Sequence, residues 1–314
     1  MLLKIFYIIF ALLYQTVGYT KTSDKNDFNY KYLSSYFSAL ISFDNQKNNK
    51  ALEFFESSKY LKKKHNNYLK EYVYSLVLDG QIKKAVNQIK SSRNTKNSNF
   101  FEGKLLIVLD LMNKKKYVQA SKIIKTFNLS NENTYEFIII KTLESFNNIF
   151  KNKKLQYSTS DFGKLSLIVN AFQNCYLNSN KTDSHFLNLI NSAEGDYSRY
   201  LFFYLSNVIE NKEYKTAKQI SKTIEPFSST LLISQSKKWI DIENYKKFNK
   251  HFSCQNENDL LSEFFFLISN LYSSQNIIEV SNFYLSLLAE NYYYNDNFDI
   301  SREILEKFSS EDEI

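Results

Sequence analysis

The sequence predicts an all-α fold, an α-solenoid of helix-turn-helix repeats with a degenerate middle section. Three observations carry this expectation. Only 5 Gly and 1 Pro occur in 314 residues, too few to supply the positive-φ hairpin turns of a multi-stranded antiparallel sheet. Apolar residues recur at helical spacing, as in Leu69, Tyr72, Val73 and Leu76. A small residue returns at one period: Ala51 to Ala85 is 34 residues and Ala85 to Ala120 is 35. A hydrophobic share of 43%, with 27 Phe and 24 Tyr, suffices for a packed interior and argues against disorder despite the many Lys, Asn and Ser.

Along the chain, the first segment has the three-part layout of a secretory leader. Met1 to Lys4 form a basic start, Ile5 to Tyr14 an apolar run and Thr16-Val17-Gly18 a small-residue end. The expected organisation is a signal peptide over 1–18, cleaved near Gly18, and a linker over 19–30. The apolar run is shorter than the roughly 20 residues needed to span a bilayer, and no later run is long enough, so no transmembrane segment is expected in the mature chain. Repeats follow over 31–128. Each pairs a first amphipathic stretch, such as Leu69 to Leu78, with a second one centred on the small residue. Gly80 lies where a helix C-terminus needs a left-handed residue, and the second helix restarts at Ile82.

Over 129–197 the signature fades, although Thr134 to Phe150, Leu165 to Leu177 and Ser184 to Ala193 still read as helices. Over 198–314 it returns, with Tyr214 and Ala217 in one unit and with Ile277 and Val280 in another; Leu231 to Ile242 and Tyr245 to Phe252 fill the gap between. The end looks compressed. Val280 to Ser301 is only 21 residues, so Val280 to Tyr294 would have to serve two repeats at once, which suggests a deletion. The apolar residues Ile304, Leu305 and Phe308 close the chain without a polar capping helix, so self-association through the C-terminal end is expected.

The 34-residue period, the small residue in mid second helix and the aromatic or branched residue before it (Ile82 before Ala85, Tyr117 before Ala120, Tyr214 before Ala217) resemble the tetratricopeptide repeat (TPR) family. The resemblance covers 31–128 and 198–288. The whole chain is similar to exported TPR proteins of AT-rich Gram-negative bacteria. What this implies is a scaffold in the cell envelope, in the periplasm of such a source, with no chemistry of its own.

No constellation of catalytic residues emerges. His65, His185 and His251 are scattered, no close cysteine pair exists, and Gly163-Lys164 lacks the flanking residues of a phosphate loop. We therefore expect no enzyme activity, no cofactor and no metal. Cys175 and Cys254 are 79 residues apart, more than two repeats, and are expected to remain two separate thiols. The net charge of +7 is spread over predicted turns and helix ends (Lys62 to Lys64, Lys114 to Lys116, Lys151 with Lys153 and Lys154, Lys237 with Lys238). It forms no stripe interleaved with stacking aromatics, so nucleic acid is not an expected partner.

The functional expectation is a concave groove that binds another protein or peptide. By the family's register its inward positions are Tyr36, Phe43, Lys70, Tyr74, Leu105, Leu109, Arg199, Phe202, Phe265 and Tyr272, with Leu40 and Val77 beside them. Such a groove is aromatic and sparsely charged, suited to a partner that buries aromatic anchors. It differs from TPR grooves that clamp a C-terminal carboxylate, because Lys70 stands alone. The alternative is an enzyme or small-ligand binder with a site in the degenerate middle, 129–197.

Overall fold

In the computed structural model the described residues are 30–65, 67–92, 98–129, 134–155, 162–191, 199–224 and 231–294. The leader and its cleavage point, the linker except Tyr30, and the stretch from Ser301 to Phe308 lie outside them. Among the described residues there are 15 α-helices and no strand, and no helix is long and apolar enough to cross a membrane.

The helices pair in order. They are α1 (Tyr30–Asp44) with α2 (Asn48–Ser57), α3 (Tyr68–Leu78) with α4 (Ile82–Ser91), and α5 (Phe101–Asn113) with α6 (Tyr117–Ile124). The long α7 (Tyr135–Asn152) follows alone. Then come α8 (Lys164–Tyr176) with α9 (Thr182–Ile190), α10 (Arg199–Glu210) with α11 (Tyr214–Lys222), α12 (Leu231–Asp241) with α13 (Lys246–His251), and α14 (Glu257–Ser274) with α15 (Ile278–Tyr294). Consecutive helices from α1 to α12 pack on one another, as do α14 and α15, while α13 packs on α10.

One turn geometry makes seven of these pairs. The chain takes a left-handed residue at Gln46, Gly80, Lys115, Asn178, Lys212, Glu243 and Asn276. In each, the left-handed residue and the next one donate N–H groups back to the helix end, as Gly80 does to the Val77 carbonyl and Gln81 to that of Leu76. Both orphan carbonyls are thereby satisfied, which is the physical reason a helix can stop so abruptly. Only one of the seven residues is glycine, so most of this periodicity is invisible to a search for glycine.

The turn also sets the small residue. Ala51, Ala85, Ala120, Ala217 and Ser281 each lie five positions after a left-handed residue and are buried. The last corrects the sequence register, which took Val280: Ser281 is the buried residue, hydrogen-bonded at 2.9 Å to Ser269 of α14. After Asn178 and Glu243 the second helix starts later, at Thr182 and Lys246, and Asp183 and Phe248 take the fifth position. Those units lack the signature for that reason. Residues Ile278 to Tyr294 form one continuous helix, the second of the last described pair; the stretch from Ser301 to Phe308, on which the reading of a compressed end depends, lies outside the described residues.

The C-terminal hairpin folds back onto the start of the array. α15 packs on α3, with the Phe283 ring 4.9 Å from that of Tyr74. α14 meets α7 through Phe264 and Phe146, α10 through Glu263 and Arg199, and α6 through Glu257 and Tyr117. This fold-back overturns the expectation of two separate thiols. Cys175 at the end of α8 and Cys254 just before α14 form a disulfide, with Cα atoms 5.5 Å apart, within the usual range.

Candidate functional site

The fold-back decides the fate of the predicted groove. Tyr36, Tyr74, Leu105, Leu109, Phe202, Phe265 and Tyr272 are all buried. Tyr36 donates to Glu71 at 2.7 Å, Phe202 stacks on Phe248 at 5.7 Å, and Tyr272 stacks on Tyr284 at 5.8 Å. Val77 is buried, while Leu40 and Phe43 are half-buried against the core. Lys70 is exposed, its ammonium 5.6 Å from the Tyr74 ring centre. Apart from Lys70 and the half-buried Leu40 and Phe43, these side chains pack inside the molecule, Tyr74 against Phe283 of α15. A signal for this lay in α14 itself. Leu260, Leu261, Phe264, Phe265 and Ile268 give the helix one broad apolar face that needs a cover, and the burial of Asp259, Ser262 and Glu263 shows that its first turns are enclosed on the other side as well.

Two polar nodes hold α14 in place, and neither was read from sequence. Arg199 Nε donates to Glu263 Oε1 and Oε2 at 3.0 and 3.2 Å, and Nη2 also donates to Oε2. Tyr200 donates to the same carboxylate at 3.2 Å, and the guanidinium lies 4.1 Å from the Phe266 ring centre. At the helix start Glu257 accepts from Tyr117 and, at 2.5 Å, from Tyr176, with Lys153 3.2 Å away. An acidic residue in the first turn also suits the helix dipole.

A cleft of about 570 Å³ remains open between α4 and α5 on one side and α14 and α15 on the other. Its apolar floor is Ile82, Val86, Leu106, Leu109, Phe265 and Leu287. Two predicted groove residues, Leu109 and Phe265, thus meet here. The volume falls in the range of ligand sites, which combine an apolar lining with a few placed polar groups. Asn291 supplies such a group: it is buried, it lines the cleft, and among the described residues its Nδ2 has no hydrogen-bond partner.

Asp110 stands on the cleft rim between two lysines, Lys114 at 2.5 Å and Lys90 at 2.7 Å. Burial pushes its carboxyl up, but the two ammonium groups outweigh it and hold the pKa below the usual value. The same Asp110 and Lys114 border a second depression of about 370 Å³, where Lys90, Lys116 and Lys122 surround Ile107 and Ile123. Lys115 faces a third, of about 410 Å³, with Lys153 and Glu257. The lysine run 114–116 therefore sits where three cavities adjoin. Among the described residues no group of three His, Cys, Asp or Glu side chains is placed to hold a metal ion. His251 lies flat on Trp239 at 5.2 Å, and burial, then Lys250 and Lys247, push its pKa down.

No protein-family model, curated protein or solved structure matches this chain. The class is defined by its own architecture: among the described residues, an array of paired helices whose α14–α15 hairpin is fastened to earlier helices, with an apolar cleft between them.

Proposed function

We propose that the chain is an exported scaffold of the TPR kind, an α-solenoid that holds another protein in the cell envelope. The partner enters at the cleft between α4–α5 and α14–α15, not along the inner face as a whole. The observation that carries this reading is the cleft itself: an apolar floor joining repeats from the two ends of the chain, with the unpartnered Asn291 amide in its wall. An orphaned buried donor costs about 1–3 kcal/mol, a cost that a partner's carbonyl removes on binding. Export is supported by the order of the leader and by the Cys175–Cys254 disulfide, since such bonds persist in oxidising compartments.

The test places a photo-crosslinking amino acid at Asn113 on the cleft rim and, as a control, at Leu187, which is exposed on α9. The leader-bearing chain is made in its source cell and irradiated. A discrete protein adduct at Asn113 and none at Leu187 is expected. No adduct at Asn113, or the same adducts at both positions, would remove the basis for the cleft as a protein-binding site.

A further inference from the structure

We infer that the segment bound at this cleft is acidic: a stretch of partner chain that places a large aliphatic side chain on the cleft floor and its carboxylates on Lys116 and Lys122. This rests on the reading of the chain as a protein-binding scaffold and adds the chemistry of the partner.

The two cavities share a wall. Asp110 and Lys114 line both the cleft and the neighbouring depression, so one continuous segment can occupy both. The floor of the first is aliphatic and aromatic, and the second has apolar groups at its base and ammonium groups around it. Its charge is lopsided, with four lysines (90, 114, 116 and 122) against one aspartate. Asp110 is already engaged by Lys90 and Lys114. Lys116 and Lys122 have no ion pair or side-chain hydrogen bond among the described residues. Two unpaired cations beside an apolar hollow favour a carboxylate-bearing chain over a neutral one, through both steering and complementarity.

A cationic segment would meet like charge, and like-charge juxtaposition is what excludes wrong partners. An anionic membrane is the other source of negative charge near lysines. It is the weaker match, because these lysines wall concavities with their apolar groups at the bottom, whereas insertion into a bilayer needs apolar groups that project outward.

The backbone of such a segment also answers the orphaned amide. A carbonyl beside the inserted side chain accepts from Asn291 Nδ2. The amide then orients the segment, and the floor and the lysines supply the attraction.

The experiment uses the mature, disulfide-bonded chain and fluorescein-labelled synthetic peptides. One carries leucines flanked by aspartate and glutamate; its counterpart carries lysine in place of every acid. Vesicles of mixed phosphatidylglycerol and phosphatidylcholine form a third arm. The acidic peptide should bind more tightly as salt is lowered, and the basic one should not bind. The Lys116→Glu/Lys122→Glu variant should weaken the acidic peptide about tenfold or more. Asn87→Trp, which covers the cleft mouth from an exposed position on α4, should weaken it at an unchanged melting temperature. Lys212→Glu/Lys222→Glu, with the same change in net charge, should leave binding unaltered.

Equal loss in that control variant would show general attraction to a basic protein and overturn the proposal. So would binding of both peptides alike, or vesicle binding that depends on Lys116 and Lys122 with no binding of the acidic peptide. If the Asn113 adduct forms but the acidic peptide fails to bind, the partner is a protein of different chemistry and this inference alone falls. If neither occurs, the scaffold reading falls with it.

Discussion

Cys254 is bonded to Cys175 across 79 residues of chain, with the two Cα atoms 5.5 Å apart. The bond fixes the start of α14 beside the end of α8, where Gln255 Nε2 also donates to the Cys175 carbonyl at 3.3 Å. Glu257 then gathers Tyr117, Lys153 and Tyr176 within the next turn of chain. Closing so long a loop removes much of the freedom of the unfolded chain. Cys254→Ser should therefore destabilise by about 2–4 kcal/mol. Both sulfurs are buried, so a mild reductant should leave the native bond intact until denaturant is added. Chemical denaturation with and without reductant checks both statements; equal midpoints under the two conditions would contradict the first.

Glu263 is nearly inaccessible and carries the Arg199 fork and the Tyr200 hydroxyl. Removing the carboxylate leaves a half-buried guanidinium without its anion. Glu263→Ala should cost about 2–4 kcal/mol, with the partly exposed arginine side reducing the penalty from the fully buried case. The double variant Glu263→Leu/Arg199→Leu should recover much of that loss, because no charge remains to be desolvated. Denaturation midpoints of single and double variants decide it; a double variant as unstable as Glu263→Ala would mean that packing, not charge, holds this contact.

The left-handed turns predict gains as well as losses. Gln46 and Lys212 hold φ of 60° and 63°, where a side chain is strained and glycine is not. Gln46→Gly and Lys212→Gly should each stabilise by about 0.5–1 kcal/mol, the strain relieved minus the entropy glycine adds to the unfolded chain. Gly80→Ala should cost about 1 kcal/mol or more by the same reasoning. Thermal melts of the three variants should move in opposite directions accordingly.

Glu71 gives the seam around α3 a dependence on pH. Burial pushes its carboxyl above the usual range, and Asp44 adds to the rise, while the Tyr36 hydroxyl and Lys70 oppose it. A carboxylate with a raised folded pKa is a burden when ionised. Stability should increase as pH falls from neutral through the raised folded value and level off below the ordinary carboxylate pKa. Glu71→Gln should flatten part of that slope, by less than about 1 kcal/mol because the group is partly solvated. Melting temperature against pH for the two proteins checks the sign.

The sequence alone located helices well where a turn or a small residue marks them. The stretch Leu69 to Leu78 became α3 (Tyr68–Leu78), Leu165 to Leu177 became α8 (Lys164–Tyr176), and Leu231 to Ile242 became α12 (Leu231–Asp241). Ala51, Ala85, Ala120 and Ala217, the recurring small residue of the second helix, are fully buried. The C-terminal unit was misread by one residue because Val280 and Ser281 are adjacent and both compatible with the pattern; only the turn at Asn276 distinguishes them. For the candidate site, Leu109 and Phe265 were legible as inward residues. Asn291, Asp110 and Lys116 were not, because their meaning depends on what lies opposite.

Local physics therefore sufficed for the helices. Amphipathic spacing, scarce glycine and proline, and small residues at a fixed period are properties of neighbouring residues, and they determined an all-α chain of paired helices. Tertiary structure decided what the pairs enclose. A periodic pattern reports that a helix has an apolar face but not which distant helix will cover it. Here the fold-back of α14 and α15 covered the faces of Tyr74 and Tyr272, brought Cys254 within bonding distance of Cys175, and left a cleft beside Asn291 open.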